Sequence, residues 1–238
     1  MDNKQILKSL QRALQEQSNP ERALAQQKYF KNLIDFRGIA TPQLKIIFRN
    51  FRTHVKSLNL IDTIFVAREL VSHNFFEDKI LAHTVVASKI KELDGNFLRD
   101  WEAYFIQHVN NWGICDDFCS NISSLILKTD LNAPNILLEW SLHSNLWLKR
   151  AAAVSFVKHT NDKRFHPVIL KIARNIVLTT SDRFAQLGMG WVMRYVYLSN
   201  SKEWHSFVET HYDQINREAL RYLLEKTPAS LRESILKR

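Results

Sequence analysis

Trp112 and Asp116 stand four residues apart in the segment Asn110-Asn111-Trp112-Gly113-Ile114-Cys115-Asp116-Asp117-Phe118-Cys119-Ser120-Asn121-Ile122. On a helix that spacing sets an indole and a carboxylate side by side on one face. Both groups favour positive charge nearby. The carboxylate attracts it directly and can also orient or deprotonate water, while an indole π-face contributes about 0.5 to 2 kcal/mol per favourable contact. Two further pairs, Trp147 with Arg150 and Trp191 with Arg194, place an indole beside a guanidinium three residues later, again on one helical face. Together these groups suit a polyanionic partner. The same residue types also have ordinary uses: a carboxylate on a helix surface or near a helix N-terminus, indoles in a core, arginines on a solvated face or in ion pairs.

Other chemistries find no support. The chain has no Gly-rich phosphate loop, no His-Glu-x-x-His, no Cys-x-x-Cys and no Gly-x-Ser-x-Gly, and its nine histidines are scattered without ligand spacing. Neither a metal nor a nucleotide cofactor is expected. Charge is the strongest compositional fact: 33 Lys and Arg against 24 Asp and Glu give +9, which favours nucleic acid or an acidic membrane. No apolar run approaches the roughly 20 residues that span a bilayer, and the start, Met1-Asp2-Asn3-Lys4-Gln5, lacks the apolar core of a signal peptide. Cys115 and Cys119, the only cysteines, are spaced for neighbouring helical turns rather than a disulfide. An intracellular, reduced protein is expected.

The elements that must position these residues read as helices. Five Gly and five Pro are too few for the tight turns of an all-β fold. Asn19-Pro20, Thr41-Pro42 and Thr227-Pro228 each put a capping residue before a proline suited to a first helical turn. Apolar spacing predicts about fourteen short helices, among them 21 to 36, 76 to 92, 113 to 128 and 146 to 159. Phe76, Trp112, Trp147 and Phe184, at the starts of alternate helices, recur at separations of 36, 35 and 37 residues. That period predicts an all-α solenoid of HEAT-like antiparallel helix pairs, in which equivalent positions converge on one groove. No linker interrupts the pattern, so residues 1–238 are expected to form a single domain. Gly188 and Gly190 inside a predicted helix cost about 1 kcal/mol each relative to Ala. Either close helix crossing or room for a bulky partner beside Trp191 would compensate.

The segments Trp112-Gly113-Ile114-Cys115-Asp116, Trp147-Leu148-Lys149-Arg150-Ala151-Ala152 and Gly190-Trp191-Val192-Met193-Arg194, in that order, resemble the AlkD-type DNA alkylation repair glycosylases. Tyr29-Phe30-Lys31-Asn32 followed by Gly38-Ile39-Ala40-Thr41-Pro42 is similar to the same family's N-terminal region. The resemblance implies a curved stack of HEAT-like pairs gripping duplex DNA, a monomer, and hydrolysis of the N-glycosidic bond of N3- and N7-alkylpurines. It implies Asp116 as the catalytic carboxylate, with Trp112 and Trp191 as indoles flanking the lesion sugar. Arg150 and Arg194 match arginines that hold the DNA backbone; Trp147, Lys149 and Tyr29 complete the expected DNA contacts. The sequence departs from the family pattern at Asn111, Ala40 and Leu187, and in the Asp116-Asp117 doublet. With no lysine singled out as a nucleophile, the expected product is an abasic site without strand cleavage. Two rivals remain open: a non-catalytic protein binding distorted or branched DNA, and a helical-repeat scaffold for protein partners.

Overall fold

The computed structural model describes residues 1–31 and 33–238, and it is all-α. Asn32 of the N-terminal resemblance lies outside the described residues. Among these residues the sole β-type pairing is an isolated bridge between Asp35 and Phe75. The chain divides into two compact units, Met1–Ile126 and Leu127–Arg238.

The first unit holds α1 (Asn3–Glu16), α2 (Pro20–Tyr29), α3 (Thr41–Ser57), α4 (Leu60–Ser72), α5 (Phe76–Ala87), α6 (Gly95–His108) and α7 (Trp112–Phe118), which passes through a π turn (Cys119–Ser123) into α8 (Ser124–Ile126). The second holds α9 (Ala133–Trp140), α10 (Leu146–Val154), α11 (His166–Thr179), α12 (Arg183–Ser199), α13 (Ser201–His211), α14 (Arg217–Leu223) and α15 (Ala229–Leu236). Residue choice explains the first two starts. Asp2 accepts from the Gln5 N–H while the Gln5 side chain accepts from the Asp2 N–H, a reciprocal cap that opens α1. Ile6, Leu10 and Leu14 then recur every four residues on its buried face. Asn19 caps α2 at the Arg22 N–H with Pro20 in first position.

Several expectations need correcting. The helix expected to reach residue 36 ends at Tyr29, and Lys31 adopts φ 52, a left-handed conformation that turns the chain. Thr41 and Thr227 do not cap: Ala40 precedes α3 and Pro228 precedes α15, neither offering a side-chain acceptor. The single helix expected over 113 to 128 is interrupted by the π turn, whose wider winding re-registers everything after Phe118 relative to Trp112 and Asp116.

The four periodic aromatics do occupy the first turns of α5, α7, α10 and α12. A second periodic feature lies one turn on. Lys79, fourth residue of α5, donates to the Val71 carbonyl at the end of α4 (2.9 Å), and Lys149, fourth residue of α10, donates to the Ser141 carbonyl just past α9 (3.2 Å). Gln186, fourth residue of α12, donates to the Thr180 carbonyl just past α11 (2.9 Å). Each side chain satisfies a carbonyl that its helix leaves orphaned, and the two cations also sit at the favourable end of a helix dipole. All three are buried, Lys79 to 3% exposure. Burial therefore opposes the charge: the Lys79 ammonium is pushed down to about 8, with Asp78 pulling the other way, and the neighbouring His108 is lowered by its own burial and by Lys79.

A stability consequence follows. Between about 8 and the ordinary lysine value of 10.5, the unfolded chain holds a proton at Lys79 that the folded chain has released. Folding should therefore become more favourable as pH rises through that window, by roughly 2 to 3 kcal/mol, while below it the contribution is constant. Chemical denaturation of the protein and of Lys79→Met, taken from pH 7 to 10.5, should show the rise in the former and its loss in the latter. Identical slopes would mean that Lys79 titrates at its ordinary value.

Candidate functional site

In the first unit the loop between α2 and α3 is tied down at Leu33, Asp35, Arg37 and Ile39. Asp35 donates its N–H to the Asn74 carbonyl (3.1 Å) and accepts from the Phe76 N–H (2.9 Å), and the buried Glu77 carboxylate accepts the N–H groups of Arg37 (2.9 Å) and Ile39 (3.0 Å). The Arg37 guanidinium grips Asp78 at both oxygens (2.5 and 2.9 Å). Asn110 donates to the Leu33 carbonyl (2.7 Å), joining the loop to the approach of α7. What this rigid loop positions is an aromatic cluster. Phe36 stacks on Phe76 (5.0 Å, 21°), Phe30 tilts against both (5.3 and 5.6 Å), and Trp112 stacks on Phe30 (5.3 Å, 21°).

Trp112 is thus held by one face on Phe30 and by its edge near Tyr29 (6.4 Å), yet remains 37% exposed. Tyr29 is the most open ring of the cluster at 71%. Asn111, the departure from the family pattern, is fully buried and caps α7 at the Ile114 N–H (3.1 Å). Gly113 is required by close approach: a Cβ there would lie 2.9 Å from a Phe76 ring carbon and 3.3 Å from one of Phe30. Asp116 is half-buried, one turn after Trp112 on α7. The carboxylate doublet divides its tasks. Asp117 accepts from Asn121 (2.8 Å) and meets Nδ1 of the buried His83 (2.8 Å), so its two oxygens face the protein's own groups.

The second unit places the remaining sequence-predicted residues. Trp147 is buried against Phe184 (5.3 Å). Lys149, 4% exposed, turns its amine inward to Ser141 and to the Thr179 hydroxyl (2.6 Å). Arg150, 7% exposed, donates from Nη1 to the Phe184 carbonyl (2.8 Å). Trp191 is half-buried with its indole N–H turned inside and lacking an acceptor, and Arg194 lies between Tyr195 (4.9 Å) and Tyr222 (4.5 Å), paired with Glu225. The two helical glycines serve close crossing. A Cβ on Gly188 would lie 2.9 Å from Arg150 Cγ, and one on Gly190 3.0 Å from the Ala219 carbonyl oxygen, so α12 approaches α10 and α14 too closely for side chains at those points. Among the described residues no three of His, Cys, Asp and Glu gather as a metal site.

A sequence model of the DNA alkylation repair enzyme family matches residues 10–227. The chain belongs to that family. Membership in the DNA alkylation repair enzymes brings a DNA substrate and a part in alkylation repair, and the matched range contains every residue singled out above. No curated protein matches the chain. Among solved structures, one described as a predicted DNA alkylation repair enzyme from Enterococcus faecalis is similar with a TM-score of 0.78, over 90% of this chain and 98% of that one, at 17% sequence identity. At that identity the likeness is one of fold. No helix among the described residues is long and apolar enough to cross a membrane.

Sequence reasoning missed Phe30 as the platform under Trp112 and His83 as the partner of Asp117. Phe30 stood within the N-terminal resemblance, but nothing local connects it to a ring 82 positions away. It also treated Lys149 and Arg150 as an outward cationic pair, whereas both are packed within the unit. Arg150→Ala should therefore destabilise the protein by about 1 to 3 kcal/mol, since it removes the charged hydrogen bond to the Phe184 carbonyl and empties the space beside Gly188. Urea denaturation measures this directly. An unchanged midpoint would leave Arg150 free for an external role alone.

Proposed function

We propose that the protein is a monofunctional DNA glycosylase that hydrolyses the N-glycosidic bond of cationic N3- and N7-alkylated purines in duplex DNA, leaving an abasic site. The observation that carries the reading is the head of α7. There a half-exposed indole, clamped on Phe30, stands one turn before a half-buried carboxylate, in a chain of the alkylation repair family. An alkylated purine that already bears positive charge departs as a neutral base and needs little protonation. Positive charge then grows on the sugar. Asp116 stabilises that oxocarbenium-like state and orients the attacking water, and Trp112 supplies a π-face that the stack prevents from swinging away. Trp191 is assigned as an aromatic contact to the DNA from the second unit, and Tyr29, exposed beside Trp112, as a contact from the first. Arg194 keeps its assignment as a backbone contact, although it must share its charge with Glu225. Arg150, Lys149 and Trp147 act by holding the helices that carry these groups.

Duplexes containing 7-methylguanine or 3-methyladenine provide the decisive assay. Free base and abasic sites should appear together; release of neither base would remove the reading. Asp116→Asn should cut single-turnover release by on the order of 100- to 1000-fold with little change in DNA affinity, because the charge matters chiefly as the sugar becomes cationic. Equal losses of binding and turnover would contradict that role. Lesions that depart as anions test the missing general acid. Hypoxanthine and ethenoadenine should be excised slower than 7-methylguanine by about 10²- to 10⁴-fold, the usual worth of a proton donor. Comparable rates would reveal an acid that the mechanism lacks.

A further inference from the structure

We propose that the exposed face of α3 is a phosphate-binding stripe that seats the backbone of duplex DNA. This rests on the reading that DNA is the partner, but on no assignment at Trp112 or Asp116. Lys45, Arg49, Arg52 and Lys56 follow one another at intervals of four, three and four residues on α3. At 100° per residue they fall within about 60° of arc, and over about 16 Å of helix. All four are exposed. The helix contains no Asp or Glu, and none of the four forms an ion pair among the described residues.

Arg12, Arg37, Arg164, Arg183 and Arg194 each pair with a carboxylate. On α3, by contrast, like charges face one another at three- and four-residue spacing, a cost of about 0.2 to 0.5 kcal/mol per pair in the free helix. The helix dipole favours Lys56 near the C-terminal end and does nothing for Lys45 near the other. A polyanion laid along the face screens these repulsions and adds an attraction to each cation. One strand of B-DNA carries about five phosphates over 16 Å of axis, enough to meet all four cations, and the two arginines present planar forks suited to phosphate oxygens. An acidic membrane is the poorer match. The apolar face of α3, with Leu44, Ile47 and Val55, is packed inside the unit, and Ile46 is the single large apolar side chain the helix exposes. Contacts to phosphate carry no sequence information, so the stripe holds damaged and undamaged duplexes alike.

The test is a quadruple variant, Lys45→Ala, Arg49→Ala, Arg52→Ala and Lys56→Ala, which keeps helix-forming residues at surface positions. Circular dichroism confirms folding. Fluorescence anisotropy with an undamaged duplex of about 20 base pairs, between about 50 and 200 mM salt, reads the affinity and its salt slope. The expected result is a roughly 10- to 100-fold weaker complex at the low-salt end, with the log–log slope reduced by about 3, near 0.9 for each lost phosphate contact. A matched variant, Lys202→Ala, Arg221→Ala, Lys226→Ala and Arg238→Ala, removes the same charge from exposed positions of the second unit. It should lose less than one unit of slope. Equal losses in the two variants, or none in the first, overturn the stripe. So does intact DNA binding coupled with lost binding to phosphatidylserine vesicles, which would transfer the face to a membrane. If the wild-type protein bound duplex with the full slope yet released no alkylated base, the glycosylase reading would fall and the stripe would stand.

Discussion

Burying a lysine ammonium against the end of another helix is the constraint on which the pairing of helices depends. Lys79 and Lys149 are desolvated to satisfy one carbonyl each, and Gln186 does the same without charge. The orphaned carbonyls at a helix C-terminus would otherwise be costly inside a packed array. Because the donor always stands fourth in the second helix, the start of that helix is fixed against the end of the first. The first-turn aromatics Phe76, Trp147 and Phe184 are then presented at the same point in their pairs.

The pair bearing Trp112 carries neither Lys nor Gln at that place. Its fourth position is Cys115, its helix lasts seven residues, and a π turn follows. Local departures from a fold's own pattern concentrate where something other than packing is being served. Phe30 and Phe76 pack against Trp112 and Gly113, and His83 meets Asp117. Of the two indoles at equivalent positions, Trp147 is buried in its unit while Trp112 keeps a third of its surface open.

Much of this was legible in the sequence, for identifiable reasons. Apolar period and capping residues are local signals, so the helices and the Asn19 cap could be read directly, while Thr41 and Thr227 carry the same signal and cap nothing. Trp112 and Asp116 were legible because four-residue spacing has a geometric meaning on a helix. The direction of a long cationic side chain has no such signature. Lys149 and Arg150 look like surface residues in any window, and only the Ser141 and Phe184 carbonyls, supplied by other helices, turn them inward. The reverse holds on α3, where the four exposed cations are written in the sequence at one-face spacing, but their lack of partners becomes visible only when every other charged group has been placed.

This division of the cations bears on how such a protein can combine grip with chemistry. A guanidinium already hydrogen-bonded to backbone inside the fold contributes rigidity and a diffuse field; it cannot follow a phosphate that moves. An unpaired cation on an exposed helix gives affinity through released counterions, and that affinity is the same for substrate, transition state and product. Uniform binding of this kind concentrates the protein on DNA without lowering the barrier. On the proposed reading, discrimination must then come from groups whose interaction changes as the bond breaks, and for a reaction that loads positive charge onto a sugar those are a carboxylate and a π-face. Their value depends on being held in place beforehand, since a group that must reorganise during the reaction gives back much of its stabilisation. The tethered loop, the Phe30 platform and the Gly113 gap are the features of this sequence that hold the start of α7 and with it Trp112.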